Sequence, residues 1–508
     1  MSQAKRTGAI IASRFVRTLV LGCVAVICSA HINSPDAWFD GPAGPYHVLV
    51  HVKTPAVVPG IAVISIKPDE KVDTVTAFVN KFDAVAGGPP PDVAKAVATE
   101  PGWYRTQLWV MNPGSNSVTV SLRGAKGEGT VVVPLVAVAG RRLTFDRTLT
   151  VILGVAAMVL VAGLLTLVGA AVRESVLPPG DEPDNTRRRR ARFAMMRGAV
   201  VIVMVVAGLG TWWRAEDSKF AQNLFKPFAV SARTEWVEGV GNRLVLTITD
   251  SAWTQRNLAR RTRPRGGSEF TTLIDDHGKL MHLFVIAENG HANFAHLHPT
   301  TTDSVSFTSV LPPLPAGRYR VFADVLHATG LTQTLTTTIT LGAPRGSATI
   351  GWLDADDAWI TGGIQGSGAT TMLADGSSLA WLDAAASHMV DQEAGLRFRV
   401  TPPAGDTAPL EPYLEMLGHA VVVRDDGAVF VHLHPMGTIS VAAQRMLSRG
   451  RGDAHGMSMG GDAGIGDTLH FPYAFPARGN YTVWVQVKRH GRVLTGAFTV
   501  AVATDAGR

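Results

Sequence analysis

An uncharged stretch of 23 residues, TVILGVAAMVLVAGLLTLVGAAV, is the feature that most constrains how this chain folds. It runs from Thr150 to Val172, and a helix of this length and apolarity can span the hydrocarbon core of a bilayer. We therefore predict a transmembrane helix over residues 149–172. A second apolar stretch at residues 198–213 ends in two tryptophans, which favour the membrane interface. It predicts a second transmembrane helix.

The stretch between the two apolar segments, residues 173–197, carries seven arginines and much of the excess charge behind the net +6. Arginine-rich loops stay on the cytoplasmic side of a membrane, so this stretch predicts a cytoplasmic loop. Both flanking regions, 31–148 and 214–508, then face the outside, which predicts a bacterial inner-membrane protein with its domains in the periplasm. A basic run beside an apolar span indicates topology, and we expect the inner membrane as a partner and no nucleic acid.

The first 30 residues have the pattern of a signal peptide. Basic residues come first, an apolar core begins at Leu19, and small residues stand at Cys28 and Ala30. An uncleaved signal anchor is the alternative. Cys28 and Cys23 are the two cysteines of the chain, so the remainder has no disulfide, thiolate site or cysteine nucleophile. Cleavage after Ala30 would make His31 the mature amino terminus.

The two outside regions have the sequence pattern of β structure. Alternating runs such as SVTVSL and TLTTTITL are separated by glycine and proline turns. This predicts a mainly β fold of tandem Ig-like or cupredoxin-like β-sandwich modules, joined by the two transmembrane α-helices. The first sandwich is expected at residues 31–148, and a linker at 214–224.

The carboxy-terminal region contains an internal repeat. HLFVIAENGHANFAHLHP aligns with HAVVVRDDGAVFVHLHP, and LPAGRYRVFADV aligns with FPARGNYTVWVQV. The repeat predicts two β-sandwich modules, one at residues 225–343 and the other at 349–503.

The second copy of the repeat predicts a hairpin that gathers three histidines. Asp426-Gly427 is a strong two-residue turn signal, and pairing outward from it sets His419 opposite His434. His432 lies on the same face as His434, because residues two apart on a strand share a face. The three imidazoles then form a candidate metal site.

The first copy requires one irregularity to build the same arrangement. Its turn is at Asn289-Gly290, and simple pairing would set His282 against Leu297, on the wrong face. A β-bulge near His291 would restore the register and bring His282 together with the two histidines of FAHLHP, His296 and His298. We therefore predict a second three-histidine site.

Three neutral imidazoles suit copper(II) or zinc. The glycine-rich loop of the second module, which contains DAHGMSMGG, adds three further candidate ligands: His455, Met457 and Met459. Thioether sulfur favours copper(I), so copper is the preferred metal and zinc the alternative. A purely structural interpretation stays open, in which HLHP ends a strand and the loop is solvated.

The amino-terminal domain offers a further candidate site. The stretch PYHVLVHV places His47 and His51 on one face of a predicted strand. A mature amino-terminal His31 could add its amine and its imidazole to the same copper ion, as a histidine brace does. A solvated strand face is the alternative interpretation.

Several segments carry a resemblance to known proteins. AHINSPDAWFDGPAGPYHVLVHVKTPAVVPG, the two apolar spans, DDHGKLMHLFVI with FAHLHP, and EPYLEMLGHAVVV with FVHLHP together resemble an uncharacterised family of bacterial membrane-anchored periplasmic proteins. The carboxy-terminal modules also resemble YtkA-like domains, and the first is similar to the CopC class of copper-binding sandwiches. The resemblance implies metal handling at the cell envelope.

These observations favour a membrane-anchored periplasmic metal-binding protein, with copper preferred, that acts in storage, delivery or sensing. Another metal-handling protein of the envelope is the expected partner, and no catalytic residue is predicted. Two alternatives remain: a structural or interaction protein with Ig-like modules, and a copper-dependent oxidoreductase.

Fusion proteins test the predicted topology. At Arg192 we expect activity from a cytoplasmic reporter and none from a periplasmic one, because the arginines hold their segment in the cytoplasm. At Arg508 we expect the reverse. Activity of paired cytoplasmic and periplasmic reporters at both positions measures this. The opposite pattern would overturn the predicted localisation.

Overall fold

The computed structural model describes residues 31–32, 36–82, 88–138, 140, 146–178, 180–222, 224–250, 253, 272–343, 354–362, 368–449 and 467–504. The predicted signal segment 1–30 and the loop residues His455, Met457 and Met459 lie outside this part of the chain. The fold is mainly β. The chain divides into two compact units, one containing residues 1–55, 59–137 and 227–508 and the other containing 56–58 and 138–226.

The amino-terminal domain is a sandwich of two sheets. The five-stranded sheet has the order β2-β3-β4-β8-β7 and the four-stranded sheet the order β10-β9-β5-β6. Alternation on β3 buries Val48, Val50 and Val52 and directs His47 and His51 to the opposite face, as the sequence predicts. The strands are β2 Ala37–Ala43, β3 Tyr46–Lys53, β4 Gly60–Pro68, β5 Thr74–Lys81, β6 Asp92–Val93, β7 Lys95–Ala96, β8 Tyr104–Val110, β9 Gly114–Gly124 and β10 Gly127–Ala137.

The second unit contains two long apolar helices, α1 Arg147–Glu174 and α2 Asn185–Gln222. Asp146 caps α1, since its Oδ1 accepts from the amides of Thr148 and Leu149 at 2.8 and 3.1 Å. The apolar windows have mean hydropathies of 2.8 and 2.1 and are not buried, so both helices are long and apolar enough to cross a membrane.

The expectation of a loop over residues 173–197 is correct only in part. α2 begins at Asn185, so most of the arginines are helical, and the turn between the helices is limited to residues 175–184. Arginine is a good helix former and its charged end can extend along the helix into the aqueous phase, which accounts for the longer helix.

The first carboxy-terminal module has two sheets around one core. Four strands have the order β11-β12-β17-β16, and five have the order β13-β18-β14-β15-β20, with β19 beside β18. The strands are β11 Val230–Val237, β12 Gly241–Ile248, β13 Leu273–Ile274, β14 His282–Ala287, β15 Phe294–Leu297, β16 Thr300–Thr301, β17 Ser306–Val310, β18 Gly317–His327, β19 Thr332–Leu341 and β20 Ala358–Ile360. β20 pairs with β15, although the sequence placed residues 358–360 in the second module.

The second carboxy-terminal module repeats this arrangement. Its six-stranded sheet has the order β1-β26-β25-β28-β29-β23, and its other sheet the order β21-β22-β24-β27. The elements are β21 Thr370–Met372, β22 Ser378–Trp381, β23 His388–Met389, β24 Leu396–Thr401, β25 His419–Arg424, β26 Val429–Leu433, α3 Val441–Arg449, β27 Thr468–Phe471, β28 Gly479–Arg489 and β29 Arg492–Ala503. The edge strand β1, His31–Ile32, comes from the amino terminus and pairs in parallel with β26.

Both predicted hairpin registers are confirmed. In the second module Val423 pairs with Phe430, the register that follows from a tight turn at residues 426–427. In the first module Phe284 pairs with His296, one residue away from simple pairing. His291 has a φ of 52°, a left-handed conformation that follows Gly290 and absorbs the extra residue.

The amino-terminal domain packs on the turn that follows the second HLHP motif. The amide of Asp40 donates to Met436 O at 2.9 Å, and the amide of Thr438 donates to Trp38 O at 3.1 Å. Gly437 between them has a φ of 115°, and a Cβ there would lie 2.1 Å from Trp38 O. The glycine of HLHPMG therefore allows this close backbone approach.

The two carboxy-terminal modules pack sheet against sheet through reciprocal aromatic pairs. Phe294 on β15 stacks on Trp484 of β28 with ring centroids 4.8 Å apart, and Phe322 on β18 stacks on Phe430 of β26 at 4.2 Å. β15 corresponds to β26 in the repeat, and β18 to β28, so each pair is the counterpart of the other. The modules thus meet as the two halves of a symmetric dimer would, although they belong to one chain.

Trp484→Ala tests this packing. Trp484 is fully buried, so its truncation should lower the free energy of unfolding by about 3–5 kcal/mol. Trp109→Ala is the matched control, because Trp109 is 61% exposed and its loss should change stability by about 0.5 kcal/mol or less. Urea denaturation of the two variants measures the difference, and equal midpoints would contradict the observed interface.

Candidate metal centre

Seven histidines meet where the two carboxy-terminal modules pack together. Each is at most 9% exposed, and neighbouring rings lie with centroids between 4.7 and 6.1 Å apart. Three come from the first module's hairpin and three from the second, and one comes from the turn before β14. They are His277, His282, His296, His298, His419, His432 and His434.

The first predicted triad is assembled in the structure. His282, His296 and His298 each offer one ring nitrogen, and these atoms all lie within 4.8 Å of one another. His282 Nε2–H donates to Asp276 O at 3.2 Å, and His296 Nδ1–H donates to Gln486 Oε1 at 2.8 Å. These bonds use the outer nitrogen of each ring, so the inner nitrogen carries a lone pair.

The two inner nitrogens face each other at a distance typical of metal ligands. His282 Nδ1 lies 3.2 Å from His296 Nε2. In these tautomers neither atom has a proton to donate, so the contact sets two lone pairs against each other. Two ligand nitrogens about 2.0–2.1 Å from a tetrahedral ion are about 3.3 Å apart, which agrees with the observed separation.

His298 has the outer contacts of a metal-ligating histidine. Its Nδ1–H donates to Asp357 Oδ1 at 2.9 Å, and its amide donates to the same oxygen at 2.8 Å. Its Nε2 is buried without a hydrogen-bond partner among the described residues. A carboxylate that orients an imidazole in this way raises the basicity of the free nitrogen. Asp354 also lies nearby, but its carboxylate is held by Lys279 at 2.7 Å.

The second triad differs from the predicted one in a single member. The sequence grouped His419, His432 and His434, whereas the nitrogens that approach within 4.8 Å of one another belong to His277, His419 and His434. His434 Nδ1–H donates to Ile439 O at 3.2 Å, which leaves its Nε2 for a ligand. Across residues that the structure describes, both nitrogens of His277 and of His419 lack hydrogen bonds.

His432 lies between the two triads. Its ring centroid is 5.2 Å from that of His282 and 4.7 Å from that of His434. Its Nδ1 is 3.7 Å from Asp324 Oδ2. Burial of that carboxyl raises the pKa of Asp324 to about 7.

The sequence analysis did not include His277 among the candidate ligands. It corresponds to Leu414 in the second copy, and both residues have positive φ, 54° and 50°, in equivalent tight turns. His277 reaches the second module's triad, and the phenol of Tyr413, the neighbour of Leu414, lies 3.2 Å from Nδ1 of His296 in the first. The histidine-glycine pair in the turn before β14 could have suggested a ligand. The two histidines that it joins, however, lie in the other module.

Burial holds most of these imidazoles neutral. Loss of hydration sets the pKa of five of them well below the usual value, and neighbouring imidazoles lower it further; the five are His277, His282, His296, His419 and His432. Burial also lowers the pKa of His434. Neutral imidazole is the form that binds a metal ion.

A small cavity of about 50 Å³ opens beside the histidines. Asp276, Asp324 and Ser440 line it together with His282, His432 and His434, so it touches both triads. A water molecule needs about 10–15 Å³ of such space, so only a few can enter.

The candidate ligands of the amino-terminal domain have separate partners. His47 Nδ1 lies 3.4 Å from Asp40 and 3.5 Å from Asp69, whereas His51 Nε2 pairs with Asp36 at 3.2 Å and its ring stacks on Trp38. The backbone of His31 pairs with Val429 of the second module. Among the described side chains His47 and His51 do not form a three-ligand group, so the histidine brace stays a prediction.

These features define a β-sandwich protein with a histidine-rich centre between two modules. The chain is similar, over residues 241–342 and 372–504, to a family described as a domain of unknown function (DUF8832). Both ranges fall in the two modules. No curated protein matches the chain.

Two solved structures are distantly similar. Dimeric latent PorU from Porphyromonas gingivalis aligns at 10% identity and a TM-score of 0.14, over 88% of this chain and 32% of PorU, so the chain spans about a third of its length. A protein described as membrane anchored, from Corynebacterium diphtheriae, aligns at 9% identity and a TM-score of 0.15, over 92% and 96%. Scores this low carry no argument about function.

The metal-free protein should lose stability in acid. The folded-state pKa of the buried histidines is lowered, so below about pH 6.5 the unfolded chain binds protons that the folded chain cannot. The free energy of unfolding keeps its full contribution from these histidines above this pH. On acidification it falls by at most about 1.4 kcal/mol per pH unit for each such histidine. Urea midpoints at about pH 7.5 and about pH 5.5 measure this. Equal midpoints would contradict the burial of the cluster.

Proposed function

We propose that this protein is a membrane-anchored metal-binding protein of the cell envelope, and that the histidine cluster between its two carboxy-terminal modules holds the metal. The observation that carries the proposal is the state of the inner ring nitrogens. In the described part of the chain, Nε2 of His298, His419, His432 and His434 is buried and has no hydrogen-bond partner. A buried polar atom without a partner costs about 1–3 kcal/mol, and a metal ion would offset that loss at several atoms together.

The outer contacts support the same conclusion. Asp276 O, Gln486 Oε1, Asp357 and Ile439 O each accept from one imidazole and so direct the opposite nitrogen inward. A histidine retained only for packing has no need of this repeated orientation. Outer partners of this kind fix the tautomer of histidines that ligate metals.

Copper is the preferred metal and zinc the alternative. Imidazole binds both, but copper(II) forms the more stable complexes of the divalent first-row series with a given set of nitrogen ligands. The predicted thioether ligands Met457 and Met459 would add affinity for copper(I). We infer storage, delivery or sensing of the metal in the periplasm, because α1 and α2 are long and apolar enough to anchor the chain and the arginines favour the cytoplasmic side for their own segment. Another envelope metal-handling protein is the expected partner.

An Ig-like structural or interaction protein is the second candidate. The reciprocal stacks of Phe294 on Trp484 and of Phe322 on Phe430 favour it, since they hold the modules together without a metal. In this alternative the histidines fill the rim of the interface.

Metal analysis of the full-length protein in detergent distinguishes the two candidates. The wild type should retain copper after extensive dialysis, and the paired substitution of His296 and His298 by Gln should remove at least one ion per chain, because it takes two of three ligands from the first triad. Glutamine keeps a polar side chain of similar length. Inductively coupled plasma mass spectrometry and calorimetric titration give the metal content and the affinity.

His490→Ala is the matched control, because His490 is 54% exposed and pairs with Asp406 outside the cluster. It should bind copper as the wild type does. If the paired variant also keeps the full metal content, the cluster is not the binding site. If the wild type binds neither copper nor zinc, the structural alternative holds.

A further inference from the structure

We propose that the two triads hold two metal ions as one coupled centre, with an open position for a small bridging ligand. This inference rests on the proposed function and deepens it. Separate metal sites, one per module, are the arrangement that the sequence favours. The structure instead places both triads in a single buried cluster at the module interface.

Proximity is the first argument. The ring of His282, in the first triad, lies 6.1 Å from the ring of His277 in the second, measured between centroids. His432 contacts both groups, at 5.2 Å from His282 and 5.3 Å from His419. Ions held by ligand sets that touch in this way would be neighbours, as the ions of two-metal sites are.

Exchange of residues between the modules is the second argument. The second triad is completed by His277 from the first module. The first triad is supported from the second module, since Gln486 accepts from His296 at 2.8 Å and the Tyr413 hydroxyl lies 3.2 Å from the same nitrogen. Each module therefore supplies either a ligand or an outer contact to the triad of the other module. Both triads form together when the sheets pack.

Coordination number is the third argument. The cluster supplies seven imidazoles, three to each ion and His432 to one of them, so at least one ion has only three protein ligands, fewer than the four to six that copper(II) or zinc takes. The cavity beside the cluster touches His282 of one triad and His434 of the other. Its volume of about 50 Å³ has room for a small ligand beside both triads. The expected ligand is therefore a small oxygen or nitrogen donor such as hydroxide or azide.

Electron paramagnetic resonance of the copper(II)-loaded, full-length wild type tests the proposal. Two copper(II) ions joined by a small bridge pair their single unpaired electrons, so the spin count should fall far below the copper content measured on the same sample. Azide should bind with one equivalent per two copper ions and give a charge-transfer band.

Two single-triad variants sharpen the test. His298→Gln removes a ligand of the first ion and His277→Gln a ligand of the second, so each should bind one copper ion fewer and show a full signal for the ion that remains. His490→Ala should bind as many copper ions as the wild type and show the same reduced spin count. Because the spin count of the wild type needs no variant, the proposal stays testable even if a substitution prevents folding.

The outcomes separate this inference from the proposed function. Two copper ions per chain with a full spin count, or one copper ion per chain, would overturn the coupled centre and leave a metal-binding protein. Unchanged copper content in His277→Gln would overturn the assignment of that residue. A wild type that binds no metal would overturn the proposed function, and the coupled centre with it.

Discussion

The packing of two sheets through reciprocal aromatic stacks is the interaction on which the rest of the structure depends. Phe294 on Trp484 and Phe322 on Phe430 bring the hairpins of the two modules face to face. Each hairpin ends in an HLHP motif, so the same contact buries both sets of imidazoles. Without it the histidines would lie at two solvated strand ends, with ordinary protonation and water as a partner.

Burial of the cluster opposes folding and also keeps the imidazoles in the form that can bind a metal ion. Desolvation keeps His282, His296, His419 and His432 neutral and leaves some of their nitrogens without partners, which opposes folding in the absence of a ligand. Carbonyl and carboxylate acceptors on the outer side fix the tautomers and point lone pairs inward. A metal ion would turn this unfavourable arrangement into a favourable one, so the energetics of the fold and the proposed function are linked.

The internal repeat explains how such a centre can arise within one chain. Two copies of a sandwich that pack about a pseudo-twofold relation meet through equivalent surfaces, as the two halves of a symmetric dimer do. Divergence of the copies then allows unequal contributions. His277 of the first copy reaches the second triad, whereas the equivalent turn of the second copy sends the phenol of Tyr413 toward His296.

The sequence by itself determined the β-sandwich modules, the two apolar helices, both hairpin registers and the triad of His282, His296 and His298, because periodicity, turn residues and apolar length act locally. It also anticipated the bulge that His291 accommodates. Only the tertiary structure decided that the triads share one interface and that His277 joins the second one. Those contacts join residues far apart in the chain, and strand spacing carries no information about which sheet face another module covers.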